Sequence, residues 1–462
     1  MNRNLKSVGQ SVAAVVFIVL VSLVYRVMTM DPSYIPAQAS TISTAALTAQ
    51  IPDGAQDVDM VRRGQYLVRV GDCASCHTMD GGAFLAGGLA LNTPFGTIYS
   101  TNLTSDVDVG VGRWSADQFY DALHHGKSMS GQNLYPAMPY PYMTQTTRMD
   151  SDAIFAFLKT IPAAHVQARS NDLPFPFNVR LLVSGWNAAN FKEGEFKPDP
   201  SQSEAWNRGS YLVNGLGHCA ACHSPKSVTE GDKSGHAFQG GTLDSWTAPD
   251  LTGNTRTGLG SWNADDIVEY LSTGRNAHAN AGGSMAEVVA FSTSIMTKPD
   301  LEAIATYLKA LPAGPDVTAT AADAGAMKRG AEIYSDACSS CHMADGKGQP
   351  RLFPPLPGNA VAQQNDPTGV LHIILAGDRT APTDVRPSPL AMPSFGWKLT
   401  DREIADVSTF IRNSWGNKAT SITESQVAKL RKTLQLGTDT AKEPTDTNPP
   451  SAPKATTVGA SG

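Results

Sequence analysis

The chain has 462 residues, a formal charge of -6 and a pI near 5.9, with charged residues at 17% and aromatics at 7%. Such a length corresponds to about three domains, and a mildly acidic chain with no Lys/Arg run outside its N-terminus argues against a nucleic-acid partner. Six cysteines are too sparse for a disulfide framework, and 41 glycines with 30 prolines promise much loop.

Arg3 and Lys6 precede an apolar stretch from Ser7 to Tyr25 that is just long enough to span a bilayer. The residues that follow, Tyr25-Arg26-Val27-Met28, lack the small side chains of a cleavage site, and Ala37-Gln38-Ala39 lies too far downstream. The expectation is a retained transmembrane anchor over 1–30 with its basic end cytoplasmic. Residues 31–57, rich in Ala, Ser, Thr, Pro and Gln without periodicity, read as a tether.

A first unit, 58–165, opens with a short helix, Val61-Arg62-Arg63-Gly64-Gln65-Tyr66-Leu67-Val68, that delivers Cys73-Ala74-Ser75-Cys76-His77. The pattern recurs in a second unit, 201–315, as Arg208-Gly209-Ser210-Tyr211 before Cys219-Ala220-Ala221-Cys222-His223. It recurs again in a third, 322–418, as Arg329-Gly330-Ala331-Glu332 before Cys338-Ser339-Ser340-Cys341-His342. Two thiols three positions apart can add to the two vinyl groups of one haem, with the following histidine under the iron. Structural zinc would want paired clusters, and these pairs are far apart in the chain; a thioredoxin-like redox pair would not explain the histidine. The motifs therefore read as three c-type haem attachment sites. The glycine before each is expected to allow another helix to approach closely.

Each unit closes with an amphipathic helix: Ile154, Phe157, Leu158 and Ile161 share a face in the first, Leu301, Ile304, Leu308 and Leu311 in the second, and Ile404, Val407 and Ile411 in the third. Pro162, Pro312 and Gly416 mark the ends. Between these termini, Ser115 and Asn263 are N-caps of duplicate helices, and the third unit has Asp366-Pro367-Thr368-Gly369-Val370-Leu371 instead. An opening helix with the Cys-x-x-Cys-His motif and a closing apolar helix resembles the arrangement of small cytochromes c, which implies a mostly α fold class, three tandem cytochrome c-type haem domains after an N-terminal transmembrane helix.

A haem iron that only relays electrons usually carries a second protein ligand, and a methionine thioether raises its potential. Met138, Met285 and Met392 lie at comparable places before the closing helices, on loops where Pro or Gly can present the sulfur. Met129, Met143, Met296 and Met343 read as packing residues. His124, His125, His165, His236, His278 and His372 read as surface or helix-end residues, and His218 could tune the second haem electrostatically. The connector, 166–200, is apolar over Pro174–Trp186 and could either meet a membrane or partner, or pack on the haem units. Residues 436–462 read as a disordered tail.

No nucleotide-binding glycine pattern, catalytic carboxylate pair or nucleophile elbow is evident. Electron transfer, with oxidation performed by another chain, is the function the residues support. Thr93-Pro94-Phe95-Gly96-Thr97-Ile98-Tyr99-Ser100-Thr101-Asn102-Leu103-Thr104, Leu134-Tyr135-Pro136-Ala137-Met138-Pro139-Tyr140, Gly217 to His223 and Ala391-Met392-Pro393 resemble the triheme cytochrome c subunit of membrane-bound alcohol, aldehyde and gluconate-type dehydrogenases of acetic acid bacteria and relatives. That resemblance implies three covalent haems, served by Cys73, Cys76, His77 and Met138, by Cys219, Cys222, His223 and Met285, and by Cys338, Cys341, His342 and Met392. It further implies a catalytic partner carrying molybdenum, PQQ or FAD, a small additional redox subunit, ubiquinone as acceptor, and a place on the periplasmic face of the bacterial cytoplasmic membrane. A retained anchor, the Phe175–Trp186 connector and Phe196-Lys197-Pro198-Asp199-Pro200 point toward the cytochromes of molybdenum-type aldehyde dehydrogenases. The competing class is an anchored multihaem carrier that serves a terminal oxidase without a fixed dehydrogenase.

Overall fold

The computed structural model describes residues 57–436 apart from 168, 244, 316–318 and 320. The expected anchor, and almost all of the tether and of the expected disordered tail, lie outside the described residues. Among the described residues no helix is long and apolar enough to cross a membrane.

The first unit opens with α1 (Val58–Val70), capped by the Asp57 carboxylate, which accepts from the Met60 N–H. It turns through Gly71 into α2 (Cys73–His77) and continues through the hairpin β1 (Ala90–Thr93) and β2 (Gly96–Tyr99). Next come α3 (Ala116–His124), α4 (Tyr140–Met143) and α5 (Arg148–Leu158). The connector forms α6 (Leu181–Asn190). In the second unit, α7 (Glu204–Tyr211) runs into a π-helical turn (Leu212–Leu216) before α8 (Ala220–His223). The hairpin β3 (Gly241–Leu243) and β4 (Trp246–Ala248) follows, then α9 (Ala264–Thr273), α10 (Gly283–Phe291) and α11 (Lys298–Lys309). The third unit has α12 (Ala324–Ala337), α13 (Ser339–His342), α14 (Ala360–Gln363), α15 (Thr368–Ala376), the two-residue strands β5 (Asp378–Arg379) and β6 (Ala391–Met392), α16 (Asp401–Asn413) and α17 (Glu424–Thr433).

In every unit the opening helix crosses the closing helix at the repeated glycine. A Cβ on Gly64 would fall 1.8 Å from the Ala153 carbonyl oxygen, one on Gly209 2.0 Å from that of Ala303, and one on Gly330 2.2 Å from that of Asp406. No other residue type fits such a backbone approach. The preceding arginine completes each crossing: Arg63 pairs with Asp150, Arg208 with Asp300 and Arg329 with Asp406. The carboxylates of Asp150 and Asp300 sit in the first turn of the closing helix, where negative charge is favoured by the helix dipole. In the third unit the arginine reaches a turn further along, beside the contacted carbonyl.

The second opening helix has one residue more than the first between its glycine and its first cysteine, and the third one fewer. The extra residue is absorbed by the π turn, where Gly217 N–H donates to the Leu212 carbonyl at 2.8 Å. The missing one lets α12 run directly into Cys338.

Buried side chains of the first two units form one continuous apolar core, from Val61, Leu67 and Leu158 to Tyr211, Leu212 and Leu308. Each of these large side chains contributes roughly 1.5–3 kcal/mol when fully buried. The third unit has its own core around Tyr334, Leu375, Ile404 and Val407, and a small cluster of Ala281, Ala286, Val289 and Ala381 joins it to the second.

Several expectations need correction. The closing helices α5 and α11 end before Pro162 and Pro312, so Ile161 and Leu311 follow them. Met285 is not on a loop but in the first turn of α10, and Met392 is on β6. The third unit continues past 418 into α17, whose Val427 and Leu430 are buried and whose Arg431 reaches Asp401 at 2.6 Å. His124 stands at the end of α3, as expected, but is buried, and His372 is buried within α15 rather than at the surface or a helix end; it stacks on Trp246 at 3.9 Å. Met129 and Met343, expected as packing residues, are exposed, whereas Met143 and Met296 are buried. The connector packs in part, burying Pro176 and Val183, while Phe175 and Leu181 are 64% and 77% exposed.

Candidate haem centres

The three attachment motifs fold alike. α2, α8 and α13 are single helical turns that place each Cys-x-x-Cys pair on one side and the histidine at the end. All six cysteines are free thiols and partly buried, none joined to another. Burial pushes the Cys73 and Cys219 thiols up to about 12 and Cys338 to about 11, which keeps these three as thiols rather than thiolates.

The histidines carry the strongest geometric signal. His77 Nδ1–H donates to the Thr101 carbonyl at 2.6 Å, His223 Nδ1–H to that of Pro249 at 2.7 Å, and His342 Nδ1–H to that of Pro354 at 3.1 Å. A carbonyl can only accept, so each ring is fixed as the tautomer whose Nε2 holds the free lone pair. Burial lowers the proton affinity of all three rings and keeps them neutral. A neutral imidazole oriented through its second nitrogen is what an axial iron ligand requires. The donor sets therefore fit covalent haem c.

Around the first motif lies a cavity of about 2570 Å³. Cys73, Cys76 and His77 line it together with Met138, Leu123, Ile154 and Leu158. This brings the expected distal methionine of the first unit into the same cavity as its proximal histidine, within an apolar wall. The cavity continues past His218 to Cys222 of the second motif.

The first two motifs are neighbours. His218 Nε2–H donates to the Gly71 carbonyl at 3.4 Å, and a Cβ on Gly71 would lie 3.0 Å from Leu216 Cδ1. The residues immediately before Cys73 thus pack on those immediately before Cys219. His218 joins the two attachment turns, a role more specific than the electrostatic one expected of it.

The second and third units meet through Asp378. Its Oδ1 accepts from the Gly283 N–H at 3.1 Å, two residues before Met285. Its backbone is the strand partner of Met392. The segments that carry the expected distal methionines of these units are therefore both tied to Asp378, one through its carboxylate and the other through its backbone. The same two units are also joined where Arg351 and Arg386 both bind Glu269, the Gly369 N–H donates to Thr247 Oγ1 at 2.8 Å, and Thr242 Oγ1 donates to Asp366 at 2.6 Å.

Residue types alone did not reveal the carbonyls of Thr101, Pro249 and Pro354 or the linking role of Asp378. One signal was legible in retrospect: a tyrosine two places after the glycine in the first two repeats, absent from the third. Tyr66 and Tyr211 cross from one unit to the other, to Asp300 and Asp150.

The cytochrome c family profile matches residues 207–312 and 327–415. Among curated proteins, the gluconate 2-dehydrogenase cytochrome c subunit of Pantoea cypripedii is 40% identical over 419 residues, covering 85% of this chain and 94% of that one. The cytochrome c subunit of the quinone alcohol dehydrogenase of Gluconobacter oxydans is 40% identical over 401 residues, 82% and 84% of the two chains. The fructose dehydrogenase cytochrome subunit of Gluconobacter japonicus is 34% identical over 438 residues, 86% and 89%.

Proposed function

We propose that this chain, which belongs to the family of cytochrome c subunits of gluconate, alcohol and fructose dehydrogenases, carries three covalent haems and relays electrons from a catalytic dehydrogenase subunit to ubiquinone in the bacterial cytoplasmic membrane. The observation that carries this reading is the tautomer lock repeated at His77, His223 and His342, each beside its own Cys-x-x-Cys pair.

In this reading haem c supplies one-electron redox chemistry. Cys73 with Cys76, Cys219 with Cys222, and Cys338 with Cys341 would hold the porphyrins as thioethers. His77, His223 and His342 would be the proximal ligands, and Met138, Met285 and Met392 the distal ones. With a histidine and a methionine of the chain both serving each haem, no place would remain there for substrate, and the chain would act as an electron-transfer subunit. The adjacency of the first two attachment turns and the Asp378 junction support a path running from one unit to the next. Residues 58–165, 201–315 and 322–436 would be its three haem domains.

The substrate is chosen by the partner. The relatives' names, gluconate, alcohol and fructose dehydrogenase, support a sugar acid, an alcohol or a sugar as the substrate, and in this reading aldehyde or alcohol oxidation is kept at the periplasmic face. Purification from native membranes tests the reading: a large dehydrogenase should copurify, and adding its substrate should reduce the haems and then a ubiquinone analogue. A chain that purifies alone and is oxidised directly by a terminal oxidase would support the carrier alternative.

A further inference from the structure

Two adjacent histidines, His124 and His125, stand at the C-terminal end of α3, and the segment after α6 brings Glu193 against them. One ring nitrogen of each histidine and a carboxylate oxygen of Glu193 lie within 4.8 Å of one another. His124 is only 6% exposed, and its Nδ1 is sealed from solvent without a hydrogen-bond partner. Its ring is hydrogen-bonded to the Thr144 backbone, and burial lowers its affinity for a proton. A neutral ring that donates from Nε2 leaves the Nδ1 lone pair free inside the protein.

The second histidine is oriented in a similar way. His125 Nδ1 is 3.0 Å from Glu193 Oε1, and its Nε2 faces Asp121 Oδ1 at 3.7 Å. Both rings therefore present one nitrogen to the cluster while the other faces an oxygen acceptor, the arrangement by which proteins aim imidazoles at a metal. The end of α3 adds the negative potential of a helix C-terminus. Glu193, with its side chain 52% exposed, is free to adjust toward the bond lengths of about 2.0–2.2 Å that imidazole and carboxylate ligands need.

We propose that His124, His125 and Glu193 form a binding site for a divalent transition-metal ion of the zinc or copper type, separate from the haem centres. Two imidazoles and a carboxylate suit such ions and leave a fourth position for water. Bound there, the ion fastens the connector to the end of α3, whose Ala122 and Leu123 line the cavity of the first centre. The other histidine cluster, Asp106, Asp108 and His165, lacks these features. Its Asp106 carboxylate accepts from the Asp108 and Val109 N–H groups, Asp108 pairs with Arg113, and no ring nitrogen is left buried and unpartnered.

The untagged, haem-loaded protein, freed of loose metal by a chelator, is titrated calorimetrically with zinc chloride. One site is expected, weakened roughly tenfold or more by Glu193→Gln and by His125→Ala and unchanged by His165→Ala. The haem absorption spectrum of each variant checks that it has folded. Copper added in place of zinc should give an electron paramagnetic resonance spectrum with hyperfine structure from two nitrogens, reduced to one in His125→Ala. Absence of zinc uptake, or an affinity unchanged in the folded Glu193→Gln and His125→Ala variants, would overturn the proposal.

Discussion

The Tyr66 hydroxyl donates to Asp300 Oδ2 at 2.6 Å, although 234 residues separate the two. Its counterpart is the Tyr211 hydroxyl, which donates to Asp150 Oδ2 at the same distance. Each aspartate also binds the arginine of its own unit, and each tyrosine accepts from a backbone N–H in the other unit, Thr297 for Tyr66 and Thr147 for Tyr211. The first two units therefore exchange equivalent contacts across a local pseudo-two-fold. This exchange sets the first two attachment turns side by side.

Removing one hydroxyl leaves a buried carboxylate short of one donor, a loss of about 1.5–3 kcal/mol for a hydrogen bond to a charged group. Tyr66→Phe and Tyr211→Phe should each lower thermal stability by that order, and the double variant by more than either. Thermal melts of the haem-loaded protein, followed at the Soret band and in the far ultraviolet, measure this. Stability equal to the parent in the double variant would show that the crossed contacts contribute nothing.

Acid should loosen the same interface. Burial alone would raise the Asp300 carboxyl, but the hydrogen bonds from Arg208 and Tyr66 outweigh it and hold it below the usual carboxylate range. A carboxyl depressed on folding contributes stability that is present above its unfolded value near 4 and lost as pH falls through the folded value. Asp300→Asn should therefore cost more stability at pH 7 than below pH 4. Denaturant unfolding at the two pH values tests the sign, and an equal cost at both would refute it.

The glycine crossings leave no room for a methyl group. Gly64→Ala, Gly209→Ala and Gly330→Ala should each destabilise by about 1–3 kcal/mol or more, because the added Cβ would meet a backbone carbonyl rather than a mobile side chain. Urea midpoints compared with the parent check this. By contrast, Gly185→Ala, which meets nothing within 4 Å, should be tolerated.

At the junction of the second and third units, Asp378→Ala removes the acceptor for Gly283 N–H and leaves the β5–β6 pairing without its anchor to α10. Spectra of the reduced protein should then show changes at two of three haem signals, while Asp378→Asn, which keeps an acceptor oxygen, should retain most of the parent spectrum. A change confined to one signal would separate the Met285 and Met392 sides.

The sequence made the attachment turns, the crossing glycines and the caps at Ser115 and Asn263 legible, because each depends on a residue type that local backbone chemistry demands. Ser115 and Asn263 do cap their helices, each in a reciprocal capping box. What was not legible depends on distant partners. Backbone carbonyls such as Thr101 carry no residue signature, so the tautomer lock was invisible. Gly282-Gly283 suggested a loop before Met285, yet Gly283, at φ 52°, starts α10 against the Trp246 ring and Asp378. α17 carries no strong sequence signal because its apolar positions, Val427 and Leu430, are few and lie among polar residues; they gain their burial only by packing on the third unit.

The central claim is that each of the three motifs holds its own haem. Intact-mass analysis of the denatured, untreated protein, with single Cys→Ala pairs made in turn at Cys73/Cys76, Cys219/Cys222 and Cys338/Cys341, tests it most directly. The parent should carry three covalent haem equivalents and each pair variant one fewer. A parent mass corresponding to two haems or fewer would contradict the account.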